Sequence, residues 1–151
     1  MTLKEQIDKD LKTALLGGNK TTVDTLRGLK SVILYDELAK GQRTEGISEN
    51  EIISLLQKEA KKRQESADLY KSGGNEERAK QELSEKSIIE NYLPKSLSEE
   101  EIRSLVDSIL GEVDEPNMGK MGQIIALAKE RSGGSADGAT LAGIVKDRLS
   151  Q

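Results

Sequence analysis

The chain has 151 residues, of which 34% are hydrophobic and 33% charged, and its net charge at pH 7 is −4. It contains no Cys, His, Phe or Trp, and its three aromatic residues are tyrosines. Without Cys, disulfides and thiolate metal sites are excluded, and without His the commonest neutral-pH acid/base group and metal ligand is missing. We therefore expect an aliphatic core of thin helical layers. We also expect no metal and no cofactor.

The N-terminus, MTLKEQIDKDLK, is charged throughout. No apolar run approaches the roughly 18 residues that a membrane-spanning helix needs. We therefore expect neither a secretion signal nor a membrane span, and we predict a cytoplasmic protein.

Two helices are predicted at the start of the chain. A capping box over Thr2–Glu5 opens the first helix, and Gly17-Gly18 closes it. The second helix is predicted to start at Thr21 or Thr22 and to stop near Gly41. Apolar residues recur at helical spacing along both: Leu3, Ile7, Leu11 and Leu15, then Val23, Leu26, Leu29, Ile33 and Leu38.

A second pair of helices follows. Ser48–Glu51 is another capping box, and the long polar helix behind it is predicted to reach Gly73-Gly74. Asn75 is predicted to cap a fourth helix that runs through Tyr92, and Pro94 ends it.

The composition changes at a linker over residues 94–97, after which Ser98–Glu101 caps a fifth helix. Two shorter helices are predicted near Met118–Ser132 and Asp137–Leu149. The sequence thus predicts an all-α fold of about seven helices. We expect an N-terminal helical domain over residues 1–95 and a small C-terminal domain of three helices over residues 96–151.

Charge is distributed unevenly along the chain. Residues 1–97 carry 17 basic and 17 acidic side chains, residues 98–116 one basic and seven acidic, and residues 117–151 five basic and three acidic. The glutamates of the acidic run Glu99–Glu101 suit a first helical turn, so metal binding there is disfavoured. The basic tail could still contact phosphate although the whole protein is acidic.

The stretch Met118–Gly122 combines glycines with Lys120. It lacks the GxxxxGK[ST] pattern and no predicted strand precedes it, so a nucleotide-binding P-loop is disfavoured. We interpret Gly119, Gly122 and Gly138 as structural glycines, the first two allowing a neighbouring helix to approach closely. The alternative is that Lys120 and this helix start contact a backbone phosphate.

Further basic residues are candidate nucleic-acid contacts. In the tail they are Lys129, Arg131, Lys146 and Arg148, which lie near the ends of the two short helices. A secondary basic strip, Lys58, Lys61 and Lys62, shares one face of the third helix. The alternative for both sets is an ordinary solvated surface, in which the cations balance helix dipoles and nearby glutamates.

Several segments together resemble the GatB/YqeY family, in particular its stand-alone YqeY-like members. They are TLKEQIDKDLKTAL, TLRGLKSVI, ExxxLLQKEAKKRQES, IIENYLPKSLSEEEI, MGKMG and ADGATLAGIVKDRL. The resemblance runs over essentially the whole chain. This sequence has MGKMG where many members carry one more residue, so the register of the following helix stays open.

The resemblance implies an all-helical protein whose C-terminal part is similar to the tail of the B subunit of the tRNA-dependent amidotransferase. In that enzyme the tail helps to hold the tRNA, while the chemistry occurs in other domains and subunits. A label of carbon–nitrogen ligase with glutamine as amido donor would be inherited from the shared tail. A glutaminase needs an activated nucleophile, and this sequence shows none.

These observations leave three hypotheses. The first is a non-catalytic protein that binds tRNA or a tRNA-handling complex through Lys120, Lys129, Arg131, Lys146 and Arg148. The second is a protein-interaction adaptor without RNA binding, since all three tyrosines lie outside the tail and cannot stack on RNA there. The third, an amidotransferase or its subunit, would require ammonia release from glutamine.

Overall fold

The computed structural model describes all 151 residues and contains only helices and loops. Seven α-helices and one 3-10 helix follow one another along the chain: α1 (Leu3–Gly17), α2 (Lys20–Ala39), α3 (Glu49–Ser72), α4 (Glu76–Glu90), α5 (Glu99–Glu112), the 3-10 helix (Met118–Lys120), α6 (Met121–Ser132) and α7 (Gly138–Leu149). The predicted all-α fold of about seven helices is confirmed. None of the helices has both the length and the apolar character needed to cross a membrane. The chain forms two compact units, Met1–Leu93 and Pro94–Gln151.

Side-chain caps start the helices largely where they were predicted. Thr2, Ser48 and Ser98 each accept the backbone N–H of a glutamate three residues later, and each glutamate accepts the N–H of its capping residue in return. Asn75 caps α4 and Asp137 caps α7. These contacts satisfy backbone donors that a helix start otherwise leaves unpaired.

Some helix boundaries differ from the prediction. Asn19 accepts the N–H of Thr22 at 3.1 Å, so α2 begins at Lys20, before the predicted start. Helix α4 ends at Glu90, short of Tyr92, whose N–H bonds to the carbonyl of Ile89 three residues back. Such i→i−3 bonds are typical of a helix end that tightens before it stops.

The core of the N-terminal unit is aliphatic. Helices α3 and α4 pack along one another, α1 packs on α2, and α2 contacts both α3 and α4. The buried apolar residues of this core are Ile7, Leu26, Leu29, Ile33, Ile47, Ile52, Leu56, Ala60 and Ile89. Tyr92 packs against its edge, and its hydroxyl donates to Oδ2 of Asp10 at 2.5 Å.

Two leucines predicted on buried helix faces lie largely at the surface. Leu15 is 49% exposed and Leu38 is 56% exposed. Three steps of four residues separate Leu15 from Leu3, and each step rotates the position by roughly 40°, which carries Leu15 off the core face. Leu38 lies five residues after buried Ile33, a rotation of roughly 140°.

The C-terminal unit is a three-helix arrangement in which α5, α6 and α7 contact one another pairwise. Its buried apolar residues are Ile102, Val106, Ile109, Ile124, Ala128, Ala136, Leu141, Ile144 and Val145. The N–H of Leu97 donates to the carbonyl of Ser135 at 2.9 Å, which joins the segment before α5 to the α6–α7 loop. The three helices of this unit therefore share one packed aliphatic core.

Candidate nucleic-acid interface

The two arginines of the predicted tail site contact helix α5. Nε of Arg148 lies 2.8 Å from Oδ1 of Asp107, and Nη2 lies 3.3 Å from Oδ2. Arg131 donates to the carboxylate of Glu112, and this hydrogen bond holds the pKa of Glu112 below its usual range. Both guanidinium groups thus connect the short helices to α5, and their charge is largely balanced within the unit.

Lys120 is the last residue of the 3-10 helix that precedes α6. Its ammonium group donates to the backbone carbonyl of Asp114. In the same turn Asn117 accepts the N–H of Gly119 at 2.9 Å, which caps the 3-10 helix. Helix α6 begins at Met121, directly after this 3-10 turn, so the register left open by the MGKMG sequence is settled.

The remaining two cations of the predicted tail site have free side chains. Lys129 lies in the last turn of α6 and Lys146 in the last turn of α7. Both are exposed, and neither ammonium group makes an ion pair or a hydrogen bond. These two positions are consequently the ones at which an anion would meet a cation without displacing an internal partner.

No neighbouring helix packs closely against the predicted structural glycines. A Cβ added at Gly122 or Gly138 would meet no atom within 4 Å. At Gly119 the Cβ would lie 2.9 Å from Oδ1 of Asn117, the oxygen that caps the same turn. The close approach expected at Gly119 and Gly122 is therefore absent, and only Gly119 has a steric reason to lack a side chain.

The secondary basic strip is exposed on α3. Lys58 and Lys61 have no ion pair, while Nζ of Lys62 lies 3.3 Å from the carboxylate of Glu59. The adjacent Arg63 lies only 3.1 Å from Glu85 on α4 and 3.4 Å from Glu59. The strip thus offers two unpaired lysines beside a helix–helix ion-pair network.

The C-terminal unit that carries the predicted tail site is acidic as a whole. The unit Pro94–Gln151 carries seven basic and ten acidic side chains, a net charge of −3. Within the acidic run, Glu101 completes the α5 capping box and Glu99 pairs with Arg103 at 2.6 Å. No group of three or more Asp, Glu, His or Cys side chains is arranged to hold a metal ion.

Comparison with known proteins identifies the family. A family model described as Yqey-like protein matches residues 4–149, nearly the whole chain. The chain belongs to the YqeY-like family. No curated protein gives a significant match to it. The YqeY-like match spans both helical units, and with them all the candidate cations.

This YqeY-like chain also has a cavity that the sequence did not predict. It measures about 320 Å³ and lies in the N-terminal unit, where Ile7, Ile33 and Leu34 form its apolar part. Its charged part includes Lys4 and Arg43. The sequence offered one signal for this cavity: Leu34 is an apolar residue that falls outside the apolar spacing of the buried face of α2.

Proposed function

We propose that this YqeY-like protein is a non-catalytic module whose C-terminal unit contacts the phosphate backbone of tRNA, alone or within a tRNA-handling complex. The observation that carries the proposal is that the ammonium groups of Lys129 and Lys146 make no ion pair or hydrogen bond. Each lysine lies in the last turn of a short helix. The resemblance of this region to the amidotransferase tail supports tRNA as the nucleic acid. In this proposal Arg131 and Arg148 have a structural role, because each forms an ion pair with a carboxylate on α5.

The chemistry of the side chains supports a non-catalytic role. Glutamine hydrolysis requires an activated nucleophile; the sequence contains no Cys, and no serine cluster in it has the arrangement that a serine amidase uses. Burial raises the pKa of Glu82, as a general acid would require. However, Glu82 lies 3.9 Å from Arg63 in the ion-pair network between α3 and α4, so we assign it a structural role.

The expected interaction is weak and sensitive to salt. Two lysine–phosphate contacts on a unit of net charge −3 provide little electrostatic attraction. Each contact releases counterions, so two contacts would cost about tenfold in affinity between about 50 and 200 mM salt.

The decisive experiment is a titration of labelled tRNA with the full chain at these two salt concentrations. The Lys129→Ala/Lys146→Ala variant is expected to bind more weakly and to show a flatter salt dependence. Lys58→Ala/Lys61→Ala is the matched control, because it also removes two exposed, unpaired lysines. We expect this control to bind like the wild-type protein.

Two results would contradict the tail assignment. Loss of binding in the Lys58→Ala/Lys61→Ala variant alone would move the contact to α3. An absence of binding at low salt, where phosphate contacts are strongest, would remove the tRNA proposal altogether.

A second candidate function, a protein-interaction adaptor, is favoured by one specific observation. Helix α2 exposes three large side chains with apolar surface, those of Leu34, Tyr35 and Leu38. Contiguous apolar surface of this kind often marks a protein–protein contact.

A further inference from the structure

We propose that the outward face of α2 binds an acidic amphipathic helix of another protein. The proposed surface, which we call the α2 stripe, consists of Arg27, Ser31, Leu34, Tyr35 and Leu38. This inference gives the adaptor function a surface and a class of partner, and it is independent of the tRNA proposal because the stripe lies in the other unit.

The apolar part of the α2 stripe is exposed to solvent. Leu34, Tyr35 and Leu38 are 38%, 74% and 56% exposed. Leu38 lies four residues after Leu34 and three residues after Tyr35, and these spacings make it a neighbour of both on the helix surface. The opposite face of α2 carries Leu29 and Ile33, which are buried in the core. Burial of the stripe by a partner would remove this apolar surface from water.

The cavity beside the stripe provides a recess for a partner side chain. Leu34 lines it together with Ile7 and Ile33, and its volume of about 320 Å³ falls within the usual range for ligand pockets. The recess continues the exposed apolar surface of Leu34, so a side chain inserted there would meet apolar atoms. An aliphatic side chain on the partner suits this lining.

Unpaired arginines lie at both ends of the apolar surface. Arg27 precedes Leu34 by seven residues, roughly 10 Å along the helix axis, and Arg43 lines the cavity beyond the end of α2. Both are exposed and make no ion pair. Asp24, one turn before Arg27, forms no ion pair with it. Guanidinium groups bind carboxylates in a bidentate manner, so a partner with acidic residues flanking its apolar face would match.

The other cations of the cavity are already paired. Lys30 Nζ lies 2.7 Å from Oδ1 of Asp8, and Lys4 Nζ lies 2.8 Å from Oε2 of Glu37. Their charges are therefore balanced locally. Arg27 and Arg43 form no ion pair, although Arg43 acts on the carboxylate of Glu37 at longer range. Both guanidinium groups are therefore available to donate to a partner's carboxylates, which favours an acidic partner over a basic one.

The composition of the stripe argues for a helix as its occupant. Leu34 and Leu38 at i and i+4 match the apolar ridge that a partner helix packs against. Leucine offers nothing to a phosphate, and Tyr35 is the single ring available for base stacking. Self-pairing of two antiparallel stripes would bring Arg27 of one copy towards Arg43 of the other, and this like-charge contact disfavours a second copy of the chain.

The test uses the full chain and a labelled peptide of about 18 residues, or five helical turns. The peptide carries leucines on one helical face and glutamates elsewhere. An isomer with the same composition but scattered leucines is the peptide control. We expect micromolar binding of the first peptide and at least tenfold weaker binding of the isomer.

Substitutions in the stripe should weaken peptide binding selectively. Leu34→Ser/Leu38→Ser and, separately, Arg27→Glu/Arg43→Glu are each expected to reduce affinity at least tenfold. Leu69→Ser on α3 is the apolar control, because Leu69 is 74% exposed and lies outside the stripe. Lys58→Glu/Lys61→Glu is the charge control. Both controls are expected to bind like the wild-type protein, with unchanged circular dichroism in all variants.

Several results would overturn the inference. Equal binding of both peptides, or no binding of either at millimolar concentration, would exclude an amphipathic helical partner. If the chain forms a dimer and Leu34→Ser/Leu38→Ser dissociates it, the stripe is a self-association surface. If Arg27→Glu/Arg43→Glu abolishes tRNA binding, the stripe is an RNA-binding surface. Because Lys129→Ala/Lys146→Ala is expected to leave peptide binding unchanged, failure of this inference and failure of the tRNA proposal are separable.

Discussion

The ammonium group of Lys4 on α1 lies 2.8 Å from Oε2 of Glu37, a carboxylate on α2 whose side chain is 2% exposed. The same oxygen accepts the backbone N–H of Ile47, just before α3, at 3.2 Å. The hydrogen bond from Lys4 lowers the pKa of Glu37 although burial acts in the opposite direction. One carboxylate therefore joins three consecutive segments of the N-terminal unit, next to the cavity on which the peptide-binding inference depends.

Glu37→Gln should destabilise the protein in a pH-dependent way. Because the folded-state pKa lies below the usual 4.5, the stabilisation is present above that value and is lost as pH falls through the folded-state pKa. At pH 7 the loss should be about 1–3 kcal/mol, since Lys4 and the Ile47 N–H lose a charged acceptor. Urea unfolding of both proteins at pH 7 and pH 3 measures it. A difference that does not shrink at low pH would show that the carboxylate charge is not responsible.

In contrast to Glu37→Gln, Glu82→Gln should stabilise the protein at pH 7. Burial, and then the neighbouring Glu85, raise the pKa of Glu82. Its contribution to stability is therefore full below the unfolded-state pKa and is lost as pH rises through the folded-state value. Removing the charge should raise the free energy of unfolding at pH 7 by less than about 1 kcal/mol, because solvent screens a partly exposed group.

The same urea titrations test Glu82→Gln, and the gain should disappear at acidic pH. Lower stability of the variant at pH 7 would mean that the attraction between Glu82 and Arg63, 3.9 Å apart, outweighs the cost of burial.

Tyr92→Phe should lower stability by about 1–2 kcal/mol. The change removes the 2.5 Å hydrogen bond to Asp10, whose carboxylate is a charged acceptor. Burial and this contact together raise the pKa of Tyr92, as expected for a hydroxyl that keeps its proton. Tyr35→Phe is the matched control, because Tyr35 is 74% exposed and its hydroxyl has no partner. Equal effects of both substitutions on thermal unfolding would refute the contribution of the hydrogen bond.

Glycine substitutions in the C-terminal unit should differ in sign. Gly122→Ala and Gly143→Ala place a methyl group where no atom lies within 4 Å, in helical backbone, and should stabilise by about 0.5–1 kcal/mol. Gly133 ends α6 at φ +59°, so Gly133→Ala should destabilise through strain in the left-handed region. Chemical unfolding of the three variants provides the comparison. Destabilisation by Gly122→Ala would instead indicate that this position needs the freedom of glycine.

The Arg148–Asp107 pair should contribute little to stability and little to RNA binding. The two side chains are 33% and 52% exposed, so a double-mutant cycle with Arg148→Ala and Asp107→Asn should give a coupling below about 1 kcal/mol that falls with salt. Arg148→Ala should also weaken tRNA binding less than Lys146→Ala does. A larger loss of tRNA affinity in Arg148→Ala would show that phosphate displaces Asp107.

Helix starts were predictable because their determinants are local. Thr2, Ser48 and Ser98 bond to residues three positions away, and such contacts are visible in any window of the sequence. The family assignment was predictable for a similar reason, since its segments occur in order along the chain, and the match over residues 4–149 confirms it. The prediction that Leu38 is buried was wrong, and helix geometry contains the reason, because a rotation of roughly 140° from Ile33 takes Leu38 off the core face.

The sequence by itself determined the all-helical fold, the helix caps and the family, since these depend on residues close in the chain or on the order of short segments. Only the tertiary structure decided which cations remain free. Arg148 meets Asp107 across 41 residues and Arg131 meets Glu112 across 19, whereas Lys129 and Lys146 meet no carboxylate. Ion pairs depend on which helix faces pack together, and a one-dimensional count of charges contains no information on that packing.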